Sequence, residues 1–132
     1  MTSKKKKDSL QVAKTNEPIV VDSSDFESRL RANMEEIRNY DGVVGYILKN
    51  TTSASIDVKD PTKIIDYAML SSTIFDMTEE FSTLFNLEDV KDIIINGKNL
   101  KIVSLSVGKN RISIFLESNS DTDKVLEKIQ MV

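Results

Sequence analysis

"PTKIIDYAMLSSTIFDMTEEFSTLF", residues 61–85, contains no Gly and no Pro after its opening residue. Asp60, just before it, is a good helix N-cap, and Pro61 suits the first helical position, where its missing N–H costs nothing. The spacing predicts one helix of about 25 residues, or ~37 Å at the helical rise. Its apolar residues fall on two lines. Ile64, Ala68, Phe75 and Phe85 lie near one; Tyr67, Leu70, Ile74, Met77, Phe81 and Leu84 lie near the other. A helix resting on a sheet needs one apolar stripe. The second must be covered by something, and another protein chain is the simplest candidate.

The segments on either side read as strands and two shorter helices. Before the long helix, Ser24 and Glu27 form an S-x-x-E capping box, and Phe26, Leu30, Met34 and Ile37 recur at helical spacing. Gly42 can take the left-handed conformation that ends a helix. Val43–Lys49 is nearly all apolar, as a strand covered on both faces would be. Gly45, in its middle, reads as a packing glycine that lets a helix sit close, in preference to a ligand contact. Ala54, Ile56 and Val58 alternate with polar residues, so the next strand buries one face. After the long helix come strands at Val90–Ile95, at Leu100–Val107 and around Ile112–Leu116. "NGKN" (96–99) and "GKN" (108–110) are the turns between them. A last helix begins near Ser120, with Asp121 and Asp123 in its first turn and Leu126 and Ile129 docking it. The order is α-β-β-α-β-β-β-α, an α+β chain of one domain. Residues 1–22 are assigned to a basic, flexible tail and 23–132 to the folded domain.

Composition removes whole classes of chemistry. The chain has 132 residues, 30% of them charged, and no Cys, His or Trp. No disulfide, thiolate nucleophile or Cys/His zinc site can form, and the usual general base near neutral pH is missing. Residues 1–22 hold five lysines (Lys4, Lys5, Lys6, Lys7 and Lys14) against Asp8, Glu17 and Asp22, a net +2. The whole chain is −3, so the remainder carries −5. An acidic body argues against nucleic acid as the main partner. The tail reads first as a solubilising end, with contact to an anionic surface as the alternative. There is no apolar run long enough for a membrane span, and none behind the lysines for a secretory signal, which favours the cytoplasm.

The remaining motifs read as scaffold. A P-loop needs a glycine five residues before its second glycine; Asp92 and Val103 stand there relative to Gly97 and Gly108, and Asn follows each Lys. Asp57, Asp60, Asp66, Asp76, Glu79 and Glu80 form no D-x-D-x-D-G loop, so no metal site is assigned. Tyr40, Tyr46 and Tyr67 are given no catalytic role, and Met69 and Met77 fill core or interface gaps. No catalytic or cofactor-binding residue is assigned, and no cofactor is expected.

Several stretches together resemble the roadblock / dynein light-chain family. They are "GVVGYIL" from Gly42 to Leu48, the Tyr67–Ala68 pair, and the closing "ISIFLESNSDTD". The likeness covers about residues 25–131. One departure is the first hairpin, "NTTSAS", where the family often has Asp-Gly. The resemblance, to a small stand-alone prokaryotic-type member, implies a profilin-like sandwich: a five-stranded antiparallel sheet with the long helix on one face and the terminal helices on the other. It further implies a homodimer joined through the long helix and the third strand, for which Tyr67, Leu70, Ile74, Met77, Phe81, Ile93 and Ile95 are the candidate interface. Members of the family are non-catalytic regulators or scaffolds of small Ras-like GTPases, or subunits of motor complexes. A small-molecule-sensing α/β sandwich, or a structural subunit of a larger assembly, is the competing reading.

Overall fold

A computed structural model of the chain describes residues 18–131. Its elements are α1 (Pro18–Arg38), β1 (Val43–Lys49), β2 (Ala54–Val58), α2 (Ile64–Phe85), β3 (Asp92–Asn96), β4 (Lys101–Val107), β5 (Asn110–Leu116) and α3 (Thr122–Gln130). The five strands form one antiparallel sheet in the order β2-β1-β5-β4-β3. The chain is thus α+β in the order expected, with both sheet edges, β2 and β3, supplied by five-residue strands.

The two faces of the sheet carry different cores. On one, Leu30, Met34 and Ile37 of α1 and Val125 and Ile129 of α3 pack on Tyr46, Leu48, Val103, Leu105, Ile112, Ile114 and Leu116. On the other, α2 sets Tyr67, Ala68 and Ile74 against Ile47, Ile102 and Phe115. The alternation along β5 divides the two. Ile112, Ile114 and Leu116 turn to the α1/α3 side, while Ser113 and Phe115 meet α2.

α1 starts at Pro18, ahead of the position expected. Proline suits a first helical turn, and nothing between it and Ser24 breaks the helix. Ser24 is therefore inside the helix and does not cap it, while the Glu27 carboxylate accepts from Asn50 Nδ2 (3.5 Å) and Asn110 Nδ2 (3.3 Å). The tail reading for residues 1–17 lies outside the described residues. Asp60 does cap as expected. Its carboxylate accepts from the Thr62 amide (3.1 Å) and hydroxyl (2.7 Å), which hold its pKa below the ordinary value. The turn it opens is 3-10 (Pro61–Lys63), and the α-helix follows it.

Gly45 sits at a β-bulge. Val43 pairs with Leu116 and Gly45 with Phe115, so Val44 is an extra residue in β1. A Cβ on Gly45 would stand 2.8 Å from the Asp57 carbonyl oxygen and 2.9 Å from Val58 Cα. Packing does require glycine here, but the close neighbour is the backbone of β2 and not a helix. The two turn motifs also differ from each other. Gly108 has φ +60° in the two-residue β4–β5 turn, the first-position glycine typical of II′ turns. Gly97 lies in a longer β3–β4 loop and needs no positive φ.

Candidate functional site

α2 is seated on β5 by small residues and hydroxyls. The Tyr67 ring stacks on Phe115 with centroids 4.3 Å apart. One turn further on, the Ser71 and Ser113 hydroxyls lie 2.6 Å apart, and Ser113 reaches Ser104 at 3.1 Å. All three serines are buried. Arg111 then stands over the Phe75 ring at 5.2 Å and donates to Glu79 at 2.6 Å. These contacts fix which side of α2 faces down: Ile64, Tyr67, Ala68, Ser71, Ile74, Phe75 and Thr78.

That seating leaves a second apolar ridge without cover. Leu70, Met77, Phe81, Leu84 and Phe85 are all exposed, Leu84 to 70% and Phe85 to 67%. The ridge overhangs the β3 edge of the sheet. Between them runs an apolar groove whose walls are Ile74, Met77 and Phe81 of α2 and Ile93 and Ile95 of β3, closed at one end by Leu87 and Val90. β3 pairs with β4 on one side only, so among the described residues its other edge offers unpaired N–H and C=O groups beside exposed isoleucines. A bare apolar edge strand of this kind is a template for pairing with another chain.

No family model matches the sequence, and no curated protein matches it. Solved structures do. The Roadblock/LC7 domain from Streptomyces avermitilis superposes with a TM-score of 0.61, at 11% identity, over 79% of this chain and 88% of that one. The chain has the roadblock fold. The gliding protein mglB from Thermus thermophilus gives 0.61 at 13% identity, over 79% of this chain and 82% of its own. MglC from Myxococcus xanthus gives 0.53 at 12%, over 78% and 92%. At this identity the likeness establishes the roadblock architecture and leaves the chemistry of the surface to this chain's own residues.

The structure divides the seven candidate interface residues. Leu70, Met77, Phe81 and Ile95 are exposed, and the last three line the groove. Tyr67 and Ile74 point inward and hold α2 to its own sheet, and Ile93 is half-buried at the groove floor. Phe85 leaves the line to which spacing assigned it. Four residues beyond Phe81, it joins that ring on the open ridge, with centroids 6.3 Å apart. Leu87 and Val90 close the groove from the α2–β3 connection; Val90, expected to open the third strand, lies two residues ahead of β3, and no periodicity marks Leu87. Asn50 was also silent in the sequence. Its Oδ1 accepts from the amides of Thr52 and Ser53, both at 2.9 Å, and so shapes the first hairpin in place of Asp-Gly.

The titratable groups serve structure. Burial, with Glu35 beside it, pushes the Tyr46 hydroxyl up to about 12, and that hydroxyl donates to Glu35 at 3.2 Å. Burial also raises Tyr67. Asp57 pairs with Arg38 at 2.7 Å. Among the described residues no group of three or more carboxylates is placed to hold a metal ion, and no helix is long and apolar enough to cross a membrane.

Proposed function

We propose that the chain is a non-catalytic binding module that works as a homodimer and regulates or scaffolds a small Ras-like GTPase. The observation that carries the dimer is the joint exposure of the α2 ridge and the adjoining β3 edge. Two copies related by a twofold axis perpendicular to the sheet beside β3 would pair the two β3 strands antiparallel and continue one sheet across both chains, with both α2 helices on one face, so that Met77, Phe81, Ile93 and Ile95 of each would approach their counterparts. The roadblock fold, shared with the gliding protein mglB and with MglC, supports the GTPase part. The chain would contribute surface and position, and any effect on hydrolysis would come from ordering the GTPase's own switch loops.

Light scattering behind gel filtration at micromolar concentration tests the dimer; a strictly monomeric chain contradicts it. The partner is tested separately, by titrating the chain into Ras-like GTPases from the same organism loaded with GDP or with a non-hydrolysable GTP analogue. Binding that depends on the nucleotide supports the reading. A dimer that binds none of them in either state refutes the GTPase part and leaves the dimer standing.

A further inference from the structure

We propose that the outward face of α2 docks a basic amphipathic helix of another protein. This face is distinct from the side turned to β3. At about 100° per residue, Met69, Asp76 and Ile65 stand about 120°, 140° and 160° round the helix from Phe81. By the same count Ile65, Met69, Asp76 and Glu80 are each about 120° or more from Ser71, which is buried against the sheet. Neither α2's own sheet nor a second copy paired along β3 covers them. Ile65 is 72% exposed and Met69 64%, and Leu84 continues the apolar surface at the far end of the helix.

The charges on α2 indicate what covers this face. The helix carries Asp66, Asp76, Glu79 and Glu80 and no Lys or Arg. Two of the four are accounted for within the chain. Asp66 sits in the first turn, where the helix dipole favours an anion, and Glu79 accepts from Arg111. Asp76 and Glu80 have no such reason. They stand one turn apart, a like-charge pair that destabilises the helix bearing it. No Lys or Arg lies three or four residues from either along α2, and among the described residues neither forms an ion pair. With Thr73, Met77 and Leu84 they line a shallow depression that no cation borders.

Exposed apolar side chains flanked by unanswered carboxylates complement a helix with the opposite pattern, an apolar stripe edged by Lys and Arg. The exposed methionines suit such a guest, because an unbranched thioether repacks around differently shaped apolar groups. Ile65 to Leu84 spans about 28 Å, the length of a partner helix of about 20 residues. Nucleic acid and anionic lipid would be repelled by this face. A metal ion fits less well, since two carboxylates supply few of the oxygens a hard cation takes, and among the described residues no group of three is placed to hold one.

The experiment is a fluorescence-anisotropy titration of the full chain into a labelled helical peptide of about 20 residues. The peptide carries Leu and Phe at i, i+4, i+7 and i+11, with Lys or Arg beside them. Binding that weakens as salt is raised is expected. A peptide with Glu in place of every Lys and Arg should not bind, and one with Ser in place of every Leu and Phe should bind about tenfold more weakly. Asp76→Lys with Glu80→Lys should weaken the basic peptide about tenfold or more. The same pair should leave the thermal midpoint unchanged or higher, because it removes the like-charge contact. Ile65→Ser with Met69→Ser should weaken the peptide by about tenfold while the chain sediments as before. Absence of binding, equal binding of either control peptide, or indifference to either pair of substitutions would each overturn the proposal. If Asp76→Lys with Glu80→Lys abolishes nucleotide-dependent binding of a Ras-like GTPase while the peptide never binds, the face belongs to the GTPase and the proposal falls. The peptide titration uses neither a GTPase nor the β3 edge, so its failure leaves the proposed function standing, and failure of that function leaves this test valid.

Discussion

Replacing Phe81 with Asp should take the dimer apart while leaving the subunit folded. Phe81 is 48% exposed in the single chain. A phenylalanine buries about 150–250 Å² when fully covered, so roughly 75–125 Å² remains for a partner to cover. At ~25 cal/mol per Å² that is about 2–3 kcal/mol per subunit, and about 4–6 kcal/mol for the two copies in a symmetric dimer. Converted at 1.4 kcal/mol per decade, the dissociation constant rises by about three to four decades before the cost of desolvating the new carboxylate is added. A submicromolar dimer would then be monomeric at ordinary working concentrations. Sedimentation velocity from low to high micromolar, with a thermal melt of the same sample, reads both quantities. The contrast is Ile74→Asp, which strikes a residue 8% exposed beneath α2 and should cost about 4 kcal/mol or more of subunit stability. If Phe81→Asp sediments like the unchanged chain, the ridge is not the interface and the argument from uncovered surface fails.

Gly45→Ala should destabilise the fold by about 1–3 kcal/mol, seen as a lower urea midpoint, because the added methyl group meets β2 backbone that cannot move aside cheaply. Ser113→Ala should cost about 1–3 kcal/mol, since it strands the buried hydroxyls of Ser71 and Ser104; an unchanged midpoint would show that those hydroxyls find other partners. The Tyr46 hydroxyl keeps its proton more tightly in the folded chain than its ordinary value of 10 allows. Its contribution to stability is therefore complete below pH 10 and is lost as pH rises towards 12. Absorbance titration should show late tyrosine ionisation that Tyr46→Phe reduces, with the raised Tyr67 remaining, and the urea midpoint of the unchanged chain should fall relative to that of Tyr46→Phe as pH rises from 10 towards 12.

The fold was legible because its elements are spelled in periods the backbone enforces. β5 alternates Arg111, Ser113 and Phe115 with Ile112, Ile114 and Leu116, and the sheet sorts them to opposite faces as that alternation demands. The two lines on α2 were legible for the same reason, and Leu70, Met77 and Phe81 do stand on the side its own sheet leaves bare. What periodicity could not supply was the rotation of the helix about its axis. That angle is set by the Tyr67–Phe115 stack and the Ser71–Ser113 contact, which join residues far apart in sequence. A rotation of a few tens of degrees decides whether Tyr67 and Ile74 belong to the core or to the ridge. The same limit applies at Gly45. Its sequence neighbours say that something approaches closely, but only the pairing of β1 with β2 says what.

The bulge in β1 has a consequence for how this chain can change length. Elsewhere in the strand, losing one residue would swap inward and outward side chains for everything beyond the lesion. Val44 is different, because the sheet already counts Val44 and Gly45 as one step opposite Phe115. A variant lacking Val44 alone would keep Tyr46, Ile47 and Leu48 on their present faces and simply straighten the strand. Homologues one residue shorter between the end of α1 and Tyr46 are therefore expected to have lost it there.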